Sequence, residues 1–170
     1  MNKLLLESLQ IVSGFVPIDM KTGANTGDIV SMKGYRRLAV VFFKAAGTGG
    51  DDPTLTIEQM TDVSNSQSDN KALNFTTIYS KEGTQTSIGQ WTKTTQAAAN
   101  TYTNATLAEK QAIIVVEFKA EDLDIDNNFD CVRASVADVG TNAQLGCLLY
   151  LLGDPIESQA PENMLSAIAD

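Results

Sequence analysis

An all-β fold, a single jelly-roll-like β-sandwich domain with N- and C-terminal arms, follows from three features of this 170-residue chain. Runs of β-branched and aromatic residues recur at short spacing, separated by clusters of Gly, Asn, Asp and Pro, and there are roughly eight of them. Helical periodicity is missing from the interior, which argues against alternating helix–strand layers. Hydrophobic residues make up 43% and charged residues only 19%, with Thr, Ser, Asn and Gln filling much of the rest. That composition fits one buried core under neutral polar faces. The boundaries read as an N-terminal arm over 1–14, the sandwich over 15–152 and a C-terminal arm over 153–170.

Along the chain, Leu4 to Val12 is apolar on one side, with Leu5, Leu9 and Val12 at helical spacing. It reads as a short helix or an extended arm, stopped by Gly14 and Pro17. Thr22 to Asp28 carries a dense loop signal, and Ile29 to Met32 a short strand. Arg36 to Ala45 is almost continuously apolar and predicts a central strand buried on both faces. Gly47 to Pro53 breaks it. Leu55 to Val63 reads as an amphipathic strand with an irregularity near Gln59, and Ser64 to Asn70 as a polar loop. Ala72 to Ser80 and Ser87 to Thr94 are Thr-rich strands with Gly83 in a hairpin position. Thr95 to Glu109 predicts a long loop, with a helical turn at Leu107 to Lys110. Three strands follow: Ala112 to Lys119; Phe129 to Val139, with Val132, Ala134 and Val136 on one face and Cys131, Arg133 and Ser135 on the other; and Leu145 to Leu152. Pro155 and Pro161 make the tail extended, and Glu162 to Ala169 forms at most a short amphipathic turn. Apolar residues at both ends need cover, either from a neighbouring molecule or from the chain's own sheet.

The residue inventory bears on function. The net charge is -9, so phosphate is repelled and nucleic acid is not an expected partner. No His is present, which removes the commonest general base and metal ligand. Neither an enzymatic activity nor a cofactor is therefore expected. Cys131 and Cys147 read as buried thiols, with a cross-strand disulfide as the alternative. The apolar run Leu4-Leu5-Leu6 is too short for a secretory signal, and no stretch has the length of a membrane-spanning helix. A soluble protein made in the cytoplasm is expected.

Four constellations invite chemistry. The run from Glu121 to Asp130 has the alternating acids of a calcium loop, but Asn127 and Arg133 stand where that loop needs Gly and Glu. A solvated hairpin, with Asn127-Asn128 accepting left-handed backbone, is the simpler reading. Gly47-Thr48-Gly49-Gly50 lacks a Lys and runs into Asp51-Asp52-Pro53, so it is a turn and not a phosphate cradle. A glycosidase-type carboxylate pair would have to come from Asp19, Asp28, Glu58, Asp62 or Glu117, and no spacing selects one. Trp91, Tyr79, Tyr102 and Phe75 have the chemistry of a sugar-binding surface, although a lone Trp in a Thr-rich strand is more often an anchor. Asn74-Phe75-Thr76 and Asn104-Ala105-Thr106 match the glycosylation pattern but carry no weight without a secretion signal.

Five stretches resemble small virion proteins of tailed bacteriophages: Phe15-Val16-Pro17-Ile18-Asp19-Met20, Gly23 to Met32, Val40-Val41-Phe42-Phe43-Lys44, Gly49 to Thr56, and Phe129 to Val136. The resemblance implies a capsid cement or decoration protein on the outer shell, bound to the major capsid protein and often trimeric. It implies clamping of neighbouring shell subunits by a β domain and terminal arms, with Leu4, Leu5, Leu6, Met164, Leu165 and Ile168 as contact residues. A neck or tail component and a carbohydrate-binding host-attachment module are the alternatives.

Overall fold

The computed structural model describes residues 5–64, 69–84, 87–157 and 160–168, with backbone alone at 84 and 87–88. Its strands are β1 (Leu9–Asp19), β2 (Asn25–Ser31), β3 (Tyr35–Lys44), β4 (Thr54–Met60), β5 (Lys71–Ala72), β6 (Phe75–Thr84), β7 (Ser87–Ile88), β8 (Thr92–Ala99), β9 (Thr101–Thr103), β10 (Ala112–Lys119), β11 (Cys131–Val136) and β12 (Leu145–Pro155). Among the described residues, all helical segments are single 3₁₀ turns. Two antiparallel sheets pack as a sandwich. The larger runs β1-β12-β3-β10-β6-β7 with β8 also beside β6, and the smaller runs β2-β11-β4-β5 with β9 also beside β4.

Setting β5 to β8 aside leaves β1-β12-β3-β10 facing β2-β11-β4-β9. Each framework strand then lies in the opposite sheet from the one before it, except β9, which pairs beside β4 in the smaller sheet; this is the strand order of a jelly roll. The excursion from Lys71 to Ala99 is an insertion that adds β6, β7 and β8 to one edge of the larger sheet.

The two inner faces are read directly from alternation. Leu38, Val40 and Phe42 of β3, Ile114 and Val116 of β10, and Leu148, Tyr150 and Leu152 of β12 are all buried. They pack in one cluster against Val30, Leu55, Ile57, Val132, Ala134 and Val136 of the smaller sheet. Each large apolar side chain in this layer contributes about 1.5–3 kcal/mol.

Tyr150 bolts the sheets together at a defect. The β2–β11 register slips between the pairs Arg133–Ile29 and Ser135–Thr26, so two residues, Gly27 and Asp28, stand opposite Ala134. The Tyr150 hydroxyl, fully buried, accepts from the Ala134 N–H at 2.7 Å and donates to the Asp28 carbonyl at 2.9 Å. Burial holds the phenol well above its ordinary pKa. A Cβ on Gly27 would lie 2.5 Å from the Ala134 oxygen and 3.0 Å from this hydroxyl. Backbone cannot yield as a side chain does, so Gly27→Ala is expected to lower stability by about 1–3 kcal/mol. Urea denaturation against the parent checks this; an unchanged midpoint would show that the bulge relaxes.

A second buried polar group ties down a loop. Lys44, at the end of β3, is 1% exposed, and its Nζ donates to the carbonyls of Ala45, Ala108 and Lys110 at 3.1, 3.0 and 2.7 Å. Burial lowers its pKa to about 8, against an opposing pull from Asp52.

Several expectations are corrected. The segment read as a helix or arm ending at Gly14 is β1 from Leu9 onward, and it runs through both Gly14 and Pro17. Pro17 is tolerated because β1 is an edge strand paired only with β12, with register shifts on either side of Phe15. The Thr22–Asp28 loop is already strand from Asn25. β3 is central, but only one of its faces is buried. β4 pairs with β11 without interruption, so there is no irregularity near Gln59. Gly83 lies within β6, opposite Ile88, and not at the turn. The Thr95–Glu109 loop holds most of β8, all of β9 and a 3₁₀ turn at Ala105–Leu107. Residues 65–68 of the Ser64–Asn70 loop lie outside the described residues.

The C-terminal segment begins after Pro155 and folds back on its own sandwich. The Tyr35 hydroxyl donates to the Leu165 carbonyl at 2.8 Å, the Ser31 N–H donates to the Ala167 carbonyl at 2.7 Å, and Ala167 joins the core.

Candidate docking surface

The feature that composition does not foretell is the outward face of the larger sheet. Strand register sets three rows across it. Ile11, Leu151, Ala39 and Glu117 form the first row. Leu149, Val41, Val115 and Tyr79 form the second. Cys147, Phe43, Ile113 and Lys81 form the third. Nine of these twelve positions are aliphatic, Phe or Cys, although they point away from the core. Ile11 is 50% exposed, Phe43 40% and Leu149 36%, with Leu145 at 56% just beyond. A half-buried antiparallel sheet ordinarily puts polar residues on this side. A contiguous apolar patch is a contact signal, whereas scattered exposed Leu residues are not. Of these residues, Ala39, Val41 and Phe43 belong to the run whose pattern predicts a strand buried on both faces. The apolar run is identical in both cases; only the absence of a third layer separates them.

Charge on this face is inverted relative to the chain. Against 12 basic and 21 acidic residues overall, the outward-pointing charges on these strands and β8 are Arg37, Lys81, Lys93 and Lys119, with Glu117 and, opposite Leu145 at the end of β1, Asp19 as the acids. Arg37 is paired with Asp154 at 2.9 Å and Lys119 with Glu121 at 2.9 Å. A shallow groove of about 530 Å³ between Ala39, Leu151 and Glu117 occupies one end of the face. At the other, Tyr79, Trp91, Val115 and Glu117 line a depression of about 380 Å³. Trp91 is 52% exposed there, with the Lys81 ammonium 5.6 Å from its ring centre.

The predicted terminal contacts are split. Leu5 and Leu6 are exposed in a 3₁₀ turn preceding β1. Leu165 and Ile168 are exposed at the other end, Met164 is half-buried, and Leu4 lies outside the described residues.

The remaining candidates are dispersed. In the acidic run, two 3₁₀ turns replace the expected hairpin, joining β10 in one sheet to β11 in the other; Asn128 does adopt left-handed backbone, at φ 63°. Its acids bind protein partners. Asp122 accepts from the Lys119 N–H at 2.7 Å. Asp124 is paired with Lys71 and accepts from the Asn127 amide, and both interactions hold its pKa down, Lys71 foremost. Of the five acids considered for a carboxylate pair, Asp19 accepts from the Gln144 N–H, Asp62 caps Ser64, and Glu58 pairs with buried Arg133 at 2.7 Å. Asp28 lies on β2, and Glu117 points outward from β10 in the other sheet. Phe75 and Tyr102 are core residues and leave the proposed sugar surface; Trp91 and Tyr79 stay on it. The Gly47–Gly50 segment is a turn, closed by the Asp51 N–H on the Thr48 carbonyl at 3.1 Å. Cys131, buried in the smaller sheet, and Cys147, outward on the larger, are separate thiols. Among the described residues no group of three or more His, Cys, Asp or Glu is placed to hold a metal ion, and no helix is long and apolar enough to cross a membrane.

The fold and this surface together define an all-β sandwich of jelly-roll strand order with an apolar outward sheet face. Comparison with protein-family models, with curated proteins and with solved structures finds no match.

Proposed function

We propose that this chain is a structural protein of a tailed-bacteriophage virion, a cement protein that docks on the outside of the assembled capsid and bridges neighbouring shell subunits. The observation that carries the reading is the exposed apolar side chains at both chain ends, Leu5, Leu6, Leu165 and Ile168, in a molecule whose candidate reactive groups are scattered or engaged with one another. Jelly-roll order supports it by analogy alone, since capsid and lectin domains both use that architecture. The mechanism is linkage: a protein that binds only the assembled shell stabilises it by mass action, and many weak contacts act together. The partner is the major capsid protein, and the chain's net charge of -9 keeps decorated particles apart.

The test is cosedimentation of the purified chain with empty undecorated capsids, with tails and with host glycans. Retention on capsids alone is expected. Leu6→Asp and Ile168→Asp, at exposed positions, are expected to weaken it without changing the fold. Deleting 162–170 is a poorer probe because it removes Ala167 from the core. Retention on tails but not capsids would replace the cement role with a neck or tail role.

One observation favours a carbohydrate-binding reading: exposed Trp91 beside Tyr79 and Glu117 is a platform on which a sugar ring can stack. Retention on glycans that Trp91→Ala abolishes would establish that reading in place of the first.

A further inference from the structure

We infer that the outward face of the larger sheet is a self-association surface, and that its occupant is a second copy of this chain stacked face to face in a two-fold dimer. The inference goes beyond the cement reading and does not need it, because it concerns how copies pair and not what they dock on.

Area is the first argument. The outer face spans five strands, with its apolar positions on β1, β12, β3 and β10 and with Tyr79 and Lys81 of β6 at its rim, and the β10–β3 ladder is eight residues long. With strands about 4.8 Å apart and a rise of about 3.3 Å per residue, the face covers roughly 600 Å². Stacking two copies removes on the order of 1,200 Å² from water, the lower bound of specific interfaces. The terminal segments offer only a few exposed side chains each and fall short of it.

Charge is the second. A chain of net charge -9 repels itself over most of its surface. The outer face is where that repulsion is relieved, because with Arg37, Lys119 and Asp19 already paired it presents Lys81 and Lys93 against Glu117.

Register supplies the geometry. A two-fold axis lying along the row Leu149–Val41–Val115 exchanges the row above with the row below. Phe43 then sits over Ala39 of the second copy, large against small, as layered sheets require. Glu117 falls over Ile113 of the second copy, one strand away from its Lys81. The same contact is made twice, and the assembly closes at two. A trimer would need two different complementary patches, and this single self-complementary face does not supply them.

Sedimentation velocity across a micromolar concentration series tests it. A species of twice the 18.2 kDa chain mass is expected. Val41→Glu and Leu149→Glu, both at outward positions, should each give monomer with an unchanged far-ultraviolet circular dichroism spectrum. Glu117→Lys should raise the dimer dissociation constant by about tenfold, and adding Lys81→Glu should restore it. A monomeric or trimeric parent overturns the inference. So does a dimer indifferent to Val41→Glu and Leu149→Glu, or a charge swap that fails to rescue. Capsid cosedimentation is read separately, so a dimer that ignores capsids would sink the cement role alone, and a monomer that binds capsids would sink the dimer alone.

Discussion

Tyr150→Phe is expected to lower the unfolding free energy by about 2–4 kcal/mol, a large change for the loss of one oxygen. The apolar ring stays in place, so packing is nearly conserved. What disappears is the partner of two buried backbone groups at once, the Ala134 N–H and the Asp28 carbonyl. The bulge has already taken both out of the β2–β11 ladder, so neither can find a replacement in the sheet. An unpaired buried polar group costs about 1–3 kcal/mol. Urea denaturation measures the loss, and amide exchange at Ala134 should accelerate more than at Val132. A variant as stable as the parent would mean that water enters the bulge.

Lys44→Met should cost a similar amount, about 2–4 kcal/mol, for opposing reasons whose balance can be measured. Methionine keeps the stem packed and removes a charge that burial disfavours. It also takes the ammonium from three carbonyls: Ala108 keeps the Gly47 N–H, but Ala45 and Lys110 lose their side-chain donor. Two stranded acceptors outweigh one buried charge. The lysine also gives a pH signature. Its folded pKa, about 8, lies below the ordinary lysine value of 10.5. Between those values the unfolded chain binds more protons than the folded one, so stability contributed by this site rises as pH rises from about 8 to about 10.5 and is flat below. The difference in unfolding free energy between parent and Lys44→Met should therefore grow across that window. A difference that shrinks or stays constant would show that the three carbonyls, which favour the charged form, hold Lys44 protonated.

Much of the sandwich was legible in the sequence because alternation is a local signal. Val132, Ala134 and Val136 face inward as the pattern required, and the apolar runs of β3, β10 and β12 are where they were placed. The errors share a physical origin. Gly14 and Pro17 look like stops when read along one strand, but on an edge strand the missing N–H faces no ladder, and bulges absorb the rest. The Ala-rich end of β8, Gln96 to Ala99, has little intrinsic preference for a strand; β6 beside it provides the pairing. The candidate surface was the least legible part. Val41, Phe43, Val115 and Leu149 spell the same apolar run whether a third layer covers them or water does. Leu5, Leu6, Leu165 and Ile168 were readable as exposed apolar side chains, but the bonds from the Tyr35 hydroxyl to the Leu165 carbonyl and from the Ser31 N–H to the Ala167 carbonyl are long-range matches that composition cannot encode.

The strand order has a consequence for synthesis. β1 has one ladder neighbour, β12, and β2 has one, β11. As the chain leaves the ribosome its opening third therefore emerges with apolar edges that nothing yet made can cover. Loop-closure cost falls on nearly the whole length at once, which places the fold among slowly forming topologies. Until the closing strand is released, the nascent protein depends on chaperones or on speed to escape aggregation.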